Sequence, residues 1–172
     1  MPKEKKLHRN MLNFLRPQLY IQISSDRVVV KNVRSGASVA DVPDIAISVD
    51  VKPKVLAVGS QARLAAASQN ARVINPFAHP RSMVSDFTCA ELVLKTLVRQ
   101  VHGQSILAIA PAVVIHPLGS PDGGFTQVEF RAFREMGHSV GASEVFVWTG
   151  RVLTDAEVAL RSFPLAEGQL GE

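Results

Sequence analysis

A short turn between two strand-forming runs holds the first residues whose types could do chemistry. Leu19 to Ile23 and Arg27 to Val30 flank Ser24, Ser25 and Asp26, and Gln22 lies one residue before the end of the first run. A loop that cradles phosphate needs glycine, so that backbone N–H groups can close on phosphate oxygens, and an acidic residue to organise a divalent cation. This turn has no glycine, and Gln22 stands where a carboxylate is wanted. The Ser24 and Ser25 hydroxyls can donate hydrogen bonds, yet their β-carbons obstruct close backbone approach to a phosphate.

Other chemistry-bearing residues are scattered. His79, His102, His116 and His138 show no i, i+4 pair and have no cysteine beside them, so they read as surface or helix-end histidines rather than metal ligands. Cys89 has Asp86 and Glu91 nearby; these carboxylates raise a thiol pKa and favour a core thiol over a nucleophile. Asp122-Gly123-Gly124 is an acidic turn that repels phosphate, and Gly119-Ser120-Pro121 lacks the glycine that a nucleophile elbow places after its serine. Asp41, Asp44 and Asp50 read as turn or solvent residues. No catalytic set emerges.

The elements that position these residues are legible in part. After the opening hairpin, an extended piece broken by Pro43 leads to a strand over 45–49, and a further strand over 54–58 stops at Gly59. Ser60 can cap a short alanine-rich helix over 61–68. Pro76 and Pro80 mark a loop. Asp86 or Thr88 can cap a helix through His102, with Leu92, Leu94, Leu97, Val98 and Val101 as its apolar face and Gly103 as its stop. A buried strand over 106–115 contains Pro111, which makes 112–115 its firm part. A helix over 126–136, with Val128, Ala132, Phe133 and Met136 inward, precedes a third buried strand over 144–148 and a last helix over 155–163. A hairpin and strands followed by α-β-α-β-α predict an α/β domain whose two late strands run parallel.

The bulk properties set bounds. The 172 residues are 47% hydrophobic and 20% charged, which fits one globular domain with a sizeable core, or two small lobes. The longest apolar run, 105–115, is too short to span a bilayer. No signal peptide is read, and a lone cysteine fits a reducing compartment, so cytoplasm is expected. The net charge of +4 is concentrated in Lys3, Lys5, Lys6, Arg9 and Arg16, and with one Trp and one Tyr nucleic-acid binding is not expected. Leu7, Met11, Leu12, Phe14 and Leu15 fall near helical spacing in this basic leader, ended by Pro17. Such a segment can lie on an anionic membrane surface or remain a solvated tail.

Several phrases occur together in unbroken order: VLAVGSQAR from Val55, VINP from Val73, MVSDF from Met83, RQVH from Arg99, PAVVI from Pro111, TQVEFRAFRE from Thr126 and VGASEVF from Val140. On these the chain resembles the MreB family, the bacterial actin homologues known as rod shape-determining proteins. The resemblance covers about residues 19–148. It implies an actin-like, ribonuclease-H-like first-half domain over 18–165 with a small subdomain inserted at about 33–75. The basic leader is then 1–17 and a polar tail 166–172. The family's second half, with a further phosphate loop and the adenosine pocket, has no counterpart in these residues. Family members use ATP and Mg²⁺. Their first loop resembles I-D-L-G-T-x-N-T, whose aspartate falls on Gln22 and whose Gly-Thr pair falls on Ser24 and Ser25, followed here by Asp26. Their E-E-P, with its water-positioning carboxylate, falls on Thr149, Gly150 and Arg151.

The expectation is therefore a degenerate phosphate loop at Gln22, Ser24, Ser25 and Asp26, no cofactor, no metal and no catalytic residue. The implied role is binding in cell shape or cytoskeletal assembly, with an MreB-like or other cell-shape partner and peripheral membrane contact through the leader. An ATPase half completed by another chain and a truncated remnant are the alternatives. Glu129, Arg131, Arg134 and Glu135 are either a solvated helix face or a polar contact surface.

Overall fold

A computed structural model describes residues 16–102, 109–119, 121 and 123–171. The central sheet contains β1 (Gln18–Ile23), β2 (Val28–Asn32), β3 (Ser38–Asp41), β7 (Ala112–Pro117), β8 (Glu144–Gly150) and β9 (Gly168–Leu170), in the order β3-β2-β1-β7-β8-β9. β1 is apolar on both faces apart from its polar residues Gln18 and Gln22, as a central strand must be. It pairs antiparallel with β2 and parallel with β7, and β7 pairs parallel with β8. A second sheet joins β4 (Ile45–Ser48), β5 (Val55–Val58) and β6 (Ala71–Ile74) in the order β5-β4-β6, covered by the short helix α1 (Ala62–Ser68).

The longer helices pack on one face of the central sheet. α2 (Phe87–His102) and α3 (Gln127–Ser139) bring Leu94, Leu97, Phe133 and Met136 against Leu19, Ile21, Ile23, Val113, Ile115 and Val147. Each such side chain, fully buried, contributes roughly 1.5–3 kcal/mol. The other face carries a smaller cluster of Tyr20, Val114, Trp148, Leu153 and Val158 under the helix α4 (Asp155–Leu160). Side chains cap the starts of these helices, and for α2 it is Asp86, one of the two caps that the sequence offers. Asp86 accepts the Cys89 N–H at 2.9 Å, and Thr126 with Glu129, like Thr154 with Glu157, forms a reciprocal capping box.

Four expectations change. The inserted subdomain begins near residue 45 rather than 33, because Ser38–Asp41 pairs with β2 in the central sheet. Residues 166–172 are not simply a polar tail: Gly168–Leu170 pairs antiparallel with β8 and extends the sheet. Val128 lies on the exposed side of α3, where Phe130 takes the inward position expected of it. Ser60 caps no helix; instead its N–H donates to the Asp41 carboxylate at 2.8 Å. The strand residues 106–108 lie outside the described residues, and β7 begins at Ala112, just after Pro111.

The junction between the two sheets rests on acidic residues. Asp41 accepts the N–H groups of Val42 and Ser60, each at 2.8 Å. Asp44 is buried, pairs with Arg63 at 2.9 Å, and its carbonyl accepts the Gly59 N–H at 2.7 Å. Asp41 and Asp44 thus tie β3 and β4 to the turn before α1, and are not simple solvent residues. Gly59 has φ +80°, and a β-carbon there would overlap the Asp41 carboxylate. Gly59→Ala is expected to destabilise the protein by about 1–3 kcal/mol in urea unfolding, since strain and collision act together. The cost should be smaller in an Asp41→Ala background, where only the backbone strain remains; an equal cost in both would remove the collision from this account.

Candidate functional site

The carboxyl ends of β1, β7 and β8 lie together, since Ile23 pairs with Pro117 and Ile115 with Val147 in parallel register. Open α/β sheets bind ligands at this end. The turn after β1 presents Ser24, Ser25 and Asp26, and the end of β8 presents Thr149 and Gly150 followed by Arg151. The two sets of sequence-predicted positions are therefore brought to one end of the sheet.

The turn is occupied by its own hydrogen bonds. The Ser24 N–H donates to the Arg27 carbonyl at 2.9 Å, and the Arg27 N–H donates to Ser24 Oγ at 3.0 Å. Ser24 Oγ also donates to the Arg27 carbonyl at 3.0 Å, and Ser25 Oγ donates to Asp26 Oδ1 at 3.3 Å. Asn75 Nδ2, at the exit of the inserted subdomain, donates to the Ser25 carbonyl at 2.7 Å. None of Ser24, Ser25 and Asp26 has a positive φ. An anion-binding nest needs successive N–H groups turned inward by a left-handed residue, and this turn has none. With Gln22 uncharged and half-buried beside His116, these residues do not fit a phosphate–Mg²⁺ group.

His116 is the residue that the sequence analysis misplaces. It is fully buried within β7, neither a surface nor a helix-end histidine, because its side chain turns into the polar end of the smaller cluster. Tyr20 Oη lies 2.6 Å from His116 Nδ1, and His116 Nε2 lies 3.1 Å from the Gly150 carbonyl. The Leu153 N–H donates to Tyr20 Oη at 3.1 Å. A carbonyl only accepts, so Nε2 carries the proton, Nδ1 accepts from Tyr20, and every member is satisfied with a neutral ring. Burial lowers the His116 pKa, partly opposed by the Gly150 carbonyl, and burial is the main cause that raises that of Tyr20. Gln22 stands beside His116 in register, and Gly150 gives its carbonyl to the same imidazole.

Arg151 is fully engaged. It pairs with Glu157 at 2.5 Å and with Glu167 at 2.6 Å, and donates to the Val152 carbonyl at 3.0 Å. Arg151 holds the Glu157 carboxyl down at about 2, helped by the Thr154 donors. The Arg151 charge is thus neutralised by α4 and by the segment before β9. Thr149 Oγ1 donates to the Gln169 carbonyl at 3.4 Å. An open cleft of about 630 Å³ lies at this end, bordered by Phe125, Phe130, Thr149, Gly150 and Gly168, but not by the hairpin turn.

The remaining candidates fall into structural roles. Cys89 is buried in α2, and burial followed by the hydrogen bond and charge of Asp86 pushes its thiol up to about 11. Glu129 is buried; burial opposes its charge, but donors from Thr126, Met83 and Ser82 outweigh it and hold the carboxyl below its usual value. Arg134 donates to the Gly171 carbonyl at 2.8 Å, while Arg131 and Glu135 stay exposed. Leu7, Met11, Leu12, Phe14 and Leu15 lie outside the described residues, as do Ser120 and Asp122. The residues missed by sequence reasoning are Tyr20, His116, Glu157 and Glu167; a polar residue inside a strand buried on both faces is the one signal that points to His116.

The fold and the placement of these positions define the class: the first-half domain of an actin-like protein, with its small inserted subdomain. The family profile described as MreB/Mbl protein matches residues 17–156, and the chain belongs to that family. Proteins named cell shape-determining protein MreB from Escherichia coli strain K12 and from Salmonella typhimurium strain LT2 are 35% identical to it over 96 residues. That match covers 54% of this chain and 26% of theirs, so it spans about a quarter of the relatives' length. The fold is similar to that of MreB5 of Spiroplasma citri bound to AMPPNP, with TM-score 0.60 and 18% identity over 77% of this chain and 38% of that one. The ADP-bound structure of the same protein gives TM-score 0.60 and 17% identity over 78% of this chain and 38% of that one.

The buried imidazole sets a pH dependence with a definite sign. The unfolded chain protonates His116 near pH 6.5, whereas the folded protein resists until lower pH. Stability contributed by the neutral ring is therefore complete above the unfolded pKa and declines as the pH falls through it, until the folded pKa is reached. His116→Gln should flatten the loss of melting temperature between pH 7.5 and about 5.5. An unchanged pH profile in that variant would show that the imidazole stays neutral for no energetic reason.

Proposed function

We propose that this protein is a non-catalytic member of the MreB/Mbl family that acts by protein–protein binding in cell shape or cytoskeletal assembly. The observation that carries the reading is the hairpin turn, in which Ser24 and Arg27 close on one another through their N–H groups and which has neither a glycine nor a left-handed residue. Supporting it, Gln22 supplies no charge for a cation, and the positions of the family's water-positioning carboxylates hold Thr149 and Gly150. The relatives with the same fold are solved with AMPPNP and ADP, and on this reading the chain keeps their scaffold without their nucleotide chemistry. The partner is an MreB-like or other cell-shape protein. The place of action is the cytoplasm, with peripheral contact at the membrane through Leu7, Met11, Leu12, Phe14 and Leu15 of the basic leader. No helix among the described residues is long and apolar enough to cross a membrane.

Two measurements test this. Titration calorimetry with ATP·Mg²⁺ should give no heat of binding at a hundred micromolar protein or below, and co-sedimentation with preformed MreB filaments should bring the protein into the pellet. Tight ATP binding would instead favour an ATPase half that another chain completes. A monodisperse protein that ignores filaments would leave the binding role without support. For the leader, flotation with anionic liposomes should be lost when residues 1–16 are deleted; equal flotation of both forms would sink the membrane contact.

A further inference from the structure

Residues 161–171 return along the edge of β8, and the contacts they make are specific. Arg161 ends α4 in a left-handed conformation, φ 55°, which reverses the chain toward the sheet. Gly168, Gln169 and Leu170 then pair with Gly150, Thr149 and Trp148. The Gly171 N–H donates to the Val147 carbonyl at 2.8 Å, and the Arg151 N–H donates to the Glu167 carbonyl at 3.3 Å. Side chains fasten both ends, Arg151 to Glu167 at 2.6 Å and Arg134 to the Gly171 carbonyl at 2.8 Å.

Three glycines make this closure possible. Gly168 lies so close to the Trp148 indole and the Thr149 carbonyl that a β-carbon would overlap both, and one at Gly171 would overlap the Phe130 ring. From the opposite strand, a β-carbon at Gly150 would stand 2.5 Å from the Glu167 carbonyl oxygen and 2.6 Å from Gly168 Cα. Gly150 also has φ +149°, where a side chain is strained. The main chain of the returning segment thus fills the space that any side chain at position 150 needs.

We propose that residues 161–171 are an intramolecular edge strap, and that the strap and a carboxylate at position 150 are mutually exclusive. Gly150, which offers no side chain at the end of β8, is the residue that admits the strap. While the strap is seated, the β8 edge offers no free backbone groups beyond it at Val147 and Arg151, and the edge cannot template pairing with another chain. This follows from the packing alone, whether or not the protein binds a filament partner.

The test uses the full chain and two variants. In Gly150→Glu the Gly171 amide should lose hydrogen-exchange protection by at least about tenfold, while amides of β1 and β7 remain protected. Trp148, fully buried and the chain's one tryptophan, should shift its emission to the red. Gly168→Ala reaches the same contact from the strap side and decides the matter where Gly150→Glu does not fold. A folded Gly150→Glu protein with the Gly171 amide still protected and Trp148 emission unchanged would overturn the proposal, as would a Gly168→Ala protein indistinguishable from the parent.

Discussion

Parallel pairing between β1 and β7 is the constraint from which the rest of this structure follows. It joins residues as far apart in sequence as Tyr20 and His116, 96 positions, and every later element is placed by it. β2 and β3 fold back antiparallel on one side of β1, β8 and β9 extend the sheet on the other side of β7, and α2 and α3 are crossovers that must cover one face. Closing so long a loop is costly in chain entropy, and the return comes from strands buried on both faces. Once β1 and β7 are side by side, the opening hairpin and the end of β8 are forced to the same end of the sheet. A ligand site, or its remnant, can lie there without any contact between the two segments in sequence.

The same pairing brings two distant positions to one imidazole. Gln22 stands beside His116 in register, and Gly150 gives its carbonyl to the same imidazole. A buried neutral histidine with both nitrogens satisfied tolerates an amide and a backbone carbonyl as neighbours. A carboxylate at either position would bring a charge to a ring kept neutral by burial, and it would pull the proton balance of Tyr20 and His116 with it. The network therefore favours uncharged neighbours, and positions 22 and 150 both supply them. Arg151 does not oppose this, because Glu157 and Glu167 neutralise it on the outer side of the sheet end.

Much of the fold is legible in the sequence because local chemistry and global placement agree. Asp86 announces a helix start that the structure keeps, and Pro111 marks the point where β7 can begin. What the sequence conceals has two physical causes. Strand partners at long separation leave no local mark, so Ser38–Asp41 reads as part of the insertion though β2 claims it, and Gly168–Leu170 reads as a tail though β8 claims it. Side-chain direction within a strand is equally hidden, and His116 and Tyr20 take their roles from a register that no local pattern reveals. The residue types at Gln22, Ser24, Ser25 and Asp26 are legible in the sequence; the closure of the turn between Ser24 and Arg27 is not.

A turn can fail to bind phosphate in two ways, by lacking the groups or by having them committed elsewhere. A missing glycine alone is a weak argument, since a serine can reach a left-handed conformation at a cost of about 1–2 kcal/mol when a ligand compensates. Here Ser24 and Arg27 close the turn on one another, and Asn75 fastens the Ser25 carbonyl from the inserted subdomain. Opening the turn toward an anion would have to break these bonds before any new one formed, and would loosen the tie between the hairpin and the inserted subdomain at the same time. The turn's closure and the way the subdomain is held are thus one arrangement, and a glycine placed in the turn would still leave the Ser24–Arg27 and Asn75–Ser25 bonds to be broken.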